Sequence, residues 1–247
     1  MGYLRKFETA KIYQEVFCVS NVQLRKANAV YVMTMTNGVE PNTLTSDVLR
    51  EYHSVLDEVE SSKDDCSLVV TSDHPKVWNT GINLDWLIRQ PTEFHSSFKG
   101  ELDDFYLRLA LLDIPTIGCL TGHTYAGGAI MASALDFRFM RKDKGWFCFP
   151  EVDIRIPFTP VMHMIISLLP NPQTLQYLAL TGARLGGEEA AKGGIVDGVY
   201  AGEDLFAKTM EYAEMMAKKD RATYGSIKRG IRRELAQFAS RGHGFTE

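Results

Sequence analysis

The sequence predicts one α/β domain with a helical C-terminal extension. Three observations point that way. Strand-like and helix-like segments alternate through the first two thirds of the chain, and helix-like segments dominate the remainder. No linker rich in Gly, Ser or Pro interrupts the alternation, and no internal repeat is visible.

Taken in order, Val30-Tyr31-Val32-Met33-Thr34-Met35 is β-branched and partly alternating, which predicts a strand. Asn37-Gly38 and Pro41-Asn42 mark turns. From Thr45 to Val59, Val48, Leu49, Tyr52, Val55, Leu56 and Val59 fall at helical spacing, with Thr45 or Ser46 able to cap the start. Ser67 to Thr71 predicts a short buried strand, and Ser72 to Leu84 a loop. A second helix is expected over Phe94 to Leu112, stopping before Ile114-Pro115, because a residue ahead of proline disfavours the helical conformation. Thr116 to Leu120, Phe137 to Met140 and Gly145 to Phe149 predict further strands, with a small-residue helix over Ala129 to Ala134. Helices then follow over Pro160 to Leu169, Pro172 to Thr181, Gly187 to Gly193, Leu205 to Lys218 and Arg221 to Ser240.

Composition narrows the function. Of 247 residues, 45% are hydrophobic and 23% charged, the proportions of a globular protein. A net charge of −4 supplies no general basic field for nucleic acid. The four cysteines, Cys18, Cys66, Cys119 and Cys148, are scattered without zinc-ligand spacing, so no metal is expected and a reducing compartment fits. The N-terminal stretch lacks the apolar core of a signal peptide, no apolar run reaches bilayer-spanning length, and GHGFTE is not a peroxisomal tripeptide address. The expected compartment is the cytoplasm, with no membrane partner.

Three segments carry chemistry. At Gly127-Gly128 a strand, a tight glycine turn and a helix would leave free N–H groups at a positive helix terminus, a geometry suited to an oxyanion. A close-packed turn or a phosphate site is the plainer reading. The segment is neither a Walker loop nor a dinucleotide fingerprint, since GK[ST] and G-x-G-x-x-G are both absent. Trp78-Asn79-Thr80-Gly81-Ile82-Asn83-Leu84 follows a buried strand and offers a second backbone donor, but alone it is only a loop. In Phe149-Pro150-Glu151-Val152-Asp153-Ile154-Arg155-Ile156-Pro157-Phe158, apolar neighbours would raise the Glu151 carboxyl toward neutrality and suit it to proton transfer. A turn cap, or a pair with Arg155, is the competing reading.

Together these segments resemble the crotonase superfamily of enoyl-CoA hydratases and isomerases. WNTGINLDWL is similar to its F-x-A-G-x-D-L loop. TGHTYAGGAIMASALDFRFM is similar to its glycine turn and following helix, FCFPEVDIRIPF to its P-E segment, and LALTGARLGGEEAAKGGIVDGVY to its later L-x-G stretch. The four occur in family order and span most of the chain from Val30. The resemblance implies a crotonase (ClpP-like) spiral of ββα units over residues 1–190. It also implies a helical region over 191–247 that assembles a homotrimer or a dimer of trimers.

The same resemblance implies an acyl-CoA substrate, with no separate cofactor because coenzyme A is part of that substrate. It assigns the oxyanion donors to the amides of Ile82 and Gly127, and the acid/base to Glu151. Thr80, Gly81, Ile82, Asn83 and Leu84 would line the thioester path, and Pro41 and Asn42 the adenine end. The first hydratase glutamate falls on Ile130, which cannot activate water. The remaining pattern resembles the Δ3,Δ2-enoyl-CoA isomerases; another crotonase chemistry, drawing on His123, Tyr125, Asp153 or His163, or a degenerate CoA-binding protein are the alternatives. The chain departs from the family at Ala126 and Ala129 in the glycine run, at Asn83 in the loop, and at Arg155, which would hold Glu151 ionised or block the acyl path. An apolar stripe of Leu205, Phe206, Met210, Ala213 and Met216, and another of Ile227, Ile231, Leu235 and Phe238, predict faces that must be buried. In the basic cluster Lys228, Arg229, Arg232 and Arg233, Lys228 is the candidate for coenzyme A phosphate, against the plainer reading of a solvated face.

Overall fold

The computed structural model describes residues 14–240; the N-terminal stretch and the C-terminal tail read above lie outside them. Two sheets are built in parallel by one repeated device. A strand enters the large sheet, a short second strand enters a small sheet, and a helix follows. β4 (Ser67–Ser72), β5 (Val77–Asn79), α2 (Leu84–Ile88) and α3 (Thr92–Leu111) form the first such unit. β6 (Thr116–Leu120), β7 (His123–Tyr125) and α4 (Gly127–Ala134) form the second, and β8 (Phe137–Arg141), β9 (Phe147–Cys148) and α5 (Glu151–Ile154) the third. Ahead of them come β1 (Gln14–Cys18), β2 (Val22–Ala27), β3 (Val30–Met35) and α1 (Ser46–Ser61). After them come α6 (Pro160–Ile166), α7 (Pro172–Thr181), β10 (Arg184–Leu185), α8 (Gly187–Lys192), β11 (Gly198–Tyr200), α9 (Gly202–Met216), α10 (Arg221–Ile231) and α11 (Arg233–Ser240).

The large sheet runs β1-β2-β3-β4-β6-β8-β11, and the small one β10-β9-β7-β5. From β3 to β11 every pairing in the large sheet is parallel. Parallel strands are covered on both faces, which is why β3, β4 and β6 are buried throughout. One face packs Met33, Leu68 and Val70 beneath α1, α3, α4 and α6. The other packs Val32, Val69, Ile117 and Phe139 beneath Leu205, Met210 and Ala213 of α9.

Local chemistry explains the helix bounds. The Thr45 hydroxyl caps α1 by accepting from the Val48 amide, and all six apolar positions read from its spacing are buried. Asn171 caps α7 through the Gln173 and Thr174 amides, and Gly182 ends it in the left-handed conformation.

The C-terminal region differs from its sequence reading in three ways. The last helix is two helices, broken at Arg232. Arg232 sends its guanidinium to the Ala110 and Ala134 carbonyls, at the C-terminal ends of α3 and α4, where the helix dipoles favour a cation. The α9 stripe is buried inside the chain against the large sheet rather than left for a subunit boundary. Ile227 and Ile231 do stay exposed, at 58% and 77%. The boundary drawn at residue 190 falls within α8, and the residues beyond it supply β11 to the large sheet and α9 to one of its faces.

Candidate active site

A cavity of about 180 Å³ opens where the small sheet, α3, α4 and the α5–α6 segment meet. The first unit contributes Thr80, Ile82 and Leu84, the second Tyr125, Ala126, Gly127 and Ile130, and the third Pro150 and Glu151.

The loop after β5 is held from within. The Asn79 side chain accepts from the Gly81 amide at 2.8 Å and donates to the Asn42 carbonyl at 2.6 Å. Gly81 adopts φ +80°, and a Cβ there would stand 2.5 Å from the Gly127 nitrogen. Only glycine permits that approach. Leu44 and Ile82 form a parallel bridge, in which the Leu44 amide donates to Gly81 and the Asn83 amide to Leu44. The Ile82 amide donates to no protein group among the described residues, and neither does that of Gly127. Gly127 opens α4, and the first amides of a helix have no partner within it. Both residues line the cavity, from the loop after β5 and from the start of α4.

Glu151 opens α5 and is 7% exposed. Its Oε2 has no hydrogen-bond partner among the described residues. Burial pushes the carboxyl up to about 7, with its own backbone amide opposing. Glu151 forms no ion pair with Arg155 among the described residues, and burial, not a cation, governs its titration, while at the start of α5 its carboxylate accepts from its own backbone amide. Arg155 is exposed and lies outside the cavity lining. It adopts φ +59° at the end of α5, a conformation glycine takes more readily. Ala126, likewise at a family glycine position, adopts φ +48° and ψ −125°. Ile130 lines the cavity one turn beyond Gly127 and offers no proton-transfer group.

Other sequence candidates lie at varying distances from this centre. Gly81 and Asn83 shape the loop without lining the cavity; Asn83 caps α2 through the Trp86 amide and donates to Glu40. Asn42 is fully buried and donates to Ser72 and the Trp78 carbonyl, while the Pro41 carbonyl accepts from Thr80. Asp153 and His163 stand outside the lining, and of His123 and Tyr125 only Tyr125 reaches it. Lys228 requires a correction. Its ammonium is buried, donating to Asp136 at 2.7 Å and to the Ile114 carbonyl at 3.0 Å, so it is not presented to a phosphate. The same Asp136 pairs with Arg232 at 2.9 Å and accepts from Tyr224 and the Thr116 amide.

Tyr106, Lys99, Ile156, Thr159 and Met162 also line the cavity and were not singled out from sequence. The one available signal was Asp103 and Tyr106, polar groups three residues apart on the apolar face of α3.

The fold and this site define an α/β protein with a cavity lined by Ile82, Gly127 and the buried Glu151. Residues 25–243 match the family model described as enoyl-CoA hydratase/isomerase, and the chain belongs to that family. It is 29% identical to enoyl-CoA delta isomerase 3 of Arabidopsis thaliana over 87% of this chain and 93% of that one. It is 25% identical to a short-chain-enoyl-CoA hydratase of Clostridium acetobutylicum, over 88% and 83%. Among solved structures, a probable enoyl-CoA hydratase of Mycobacterium tuberculosis superposes with a TM-score of 0.82 at 20% identity, covering 90% of this chain and 93% of that one, which confirms the crotonase fold. No described helix is long and apolar enough to cross a membrane.

Proposed function

We propose that the protein isomerises 3-enoyl-CoA to 2-enoyl-CoA with Glu151 as its single acid/base. The Glu151 carboxylate removes a proton from C2. The electrons pass into the thioester, and the dienolate oxygen accepts from the Ile82 and Gly127 amides. The same proton returns at C4, so the double bond moves by one carbon with nothing consumed and no cofactor needed. The observation that carries this reading is one buried carboxyl, its Oε2 without a partner among the described residues, in a cavity whose hydratase glutamate position is filled by Ile130. Thr80 to Leu84 guide the pantetheine, Pro41 meets the adenine end, and buried Asn42 acts by holding the loop. Lys228 has no place in this reading.

Purified protein is incubated with short and long 3-enoyl-CoA and, separately, with crotonyl-CoA. Isomerisation without hydration is the expected result. Robust hydration of crotonyl-CoA would refute the single-glutamate reading, and binding without turnover would favour a degenerate CoA-binding protein. The proposed assembly is a homotrimer or dimer of trimers, supported by exposed Tyr177, Leu180, Ile227 and Ile231. A fully active monomer in light scattering would rule it out. The proposed compartment is the cytoplasm, and co-localisation of the tagged protein with a peroxisomal marker would overturn it.

A further inference from the structure

We propose that Tyr106 is a positioning residue that fixes the oxyanion cradle by clamping the peptide on the far side of Gly127. The inference rests on the oxyanion reading of Gly127. The Tyr106 ring is fully buried on α3, its hydroxyl donates to the Gly127 carbonyl at 3.0 Å, and it lines the cavity. Burial holds the phenol protonated, so the donor is present at every working pH.

Gly127 needs such a clamp. With no side chain, its two backbone dihedrals are the softest in the turn. The peptide before it is held through the Ala126 carbonyl, which accepts from the Ile130 amide at 3.0 Å. The peptide after it is held in the α4 ladder through the Gly127 carbonyl, and Tyr106 adds to that carbonyl a second donor from a different element. Between these two anchors the direction of the Gly127 N–H is set. The fit is close: a Cβ at Gly127 would stand 2.7 Å from the Tyr106 oxygen. Oxyanion donors act by preorganised direction, and a misplacement of about 1 Å costs roughly 100-fold in rate.

Tyr106→Phe keeps the ring and removes the donor. The expected result is a kcat lowered roughly 10- to 100-fold with KM within about twofold, since the loss is felt at the enolate. A second readout separates this role from packing. Butyryl-CoA carrying ¹³C at the thioester carbonyl is bound to the full-length protein, and its carbonyl stretch is read by difference infrared spectroscopy. In the wild type the stretch should fall below its value in water, and in Tyr106→Phe it should return toward that value. If the wild type shows no such fall, the oxyanion reading itself fails. If the wild type shows it and Tyr106→Phe keeps both the stretch and kcat, this inference is overturned while the proposed function stands. Should Tyr106→Phe fold poorly, Tyr106→4-aminophenylalanine and Tyr106→4-methylphenylalanine are compared. Only the first should retain the stretch and the rate; equal behaviour of the two would also overturn the inference.

Discussion

Replacing Glu151 by Gln should make the protein less active and, at alkaline pH, more stable. Burial raises the carboxyl from 4.5 to about 7. At about 1.36 kcal/mol per pH unit, holding the ionised form in the folded state costs roughly 3 kcal/mol. The sign follows from proton binding. Between the two values the folded state binds more protons than the unfolded one. The favourable contribution is therefore complete below pH 4.5 and is lost as pH rises through about 7. Gln carries no charge to desolvate, though its buried amide costs about 1–3 kcal/mol without partners. The stability difference, mutant minus wild type, should thus grow by roughly 2 kcal/mol between pH 5 and pH 8. Urea unfolding at both pH values measures it. In parallel, kcat/KM for a 3-enoyl-CoA should fall about tenfold per pH unit below 7 in the wild type, because the base must be ionised. The mutant should lose about 10²–10⁴-fold in rate. Stability curves that run parallel across that range would show that Glu151 is not desolvated. Wild-type turnover in the mutant would remove it from the chemistry.

Three further expectations follow from named contacts. Gly127→Ala puts a methyl against the Tyr106 hydroxyl and should lower kcat about 10²–10³-fold with near-ultraviolet circular dichroism preserved; unchanged kinetics would place the oxyanion donors elsewhere. Lys228→Ala leaves Asp136 short of one buried partner and should lower stability by about 3 kcal/mol, while weakening coenzyme A and dephospho-coenzyme A thioesters alike; a selective loss for the phosphorylated form would restore the phosphate role. Ala126→Gly relieves a backbone conformation that costs a non-glycine residue about 1–3 kcal/mol and should raise Tm by a few degrees in scanning calorimetry; a lowered Tm would mean that the methyl's packing outweighs the strain.

Legibility in the sequence followed the length of each pattern. Thr116–Leu120 and Pro172–Thr181 match their sequence readings at both ends, because a buried strand before a glycine turn and a proline-started, glycine-stopped helix are both punctuated. Strands β5, β7 and β11, of three residues each, were missed, since alternation has no room to show in so short a span. β2 was missed although Val22, Leu24 and Ala27 are buried, because Gln23, Arg25 and Lys26 between them leave no apolar run to see. At the site, Ile82, Gly127 and Glu151 lie on local motifs and do meet the cavity. Tyr106 and Thr159 reach it only through packing of distant elements, which no local window contains. Lys228 misled for the opposite reason: its basic neighbours resemble a surface cluster, whereas its partner Asp136 lies far back along the chain.

That partner has a consequence for how the molecule is made. Asp136 enters the folding chain long before residues 228 and 232 leave the ribosome, and at 5–20 residues per second the interval is several seconds. Throughout it the carboxylate has the Thr116 amide and hydroxyl but neither cation. β5 and β7, which lead into Ile82 and Gly127, can pair early, yet the layer beneath them closes only when the final helices arrive. Newly made chains should therefore pass through a protease-sensitive stage that ends once Lys228 and Arg232 reach Asp136.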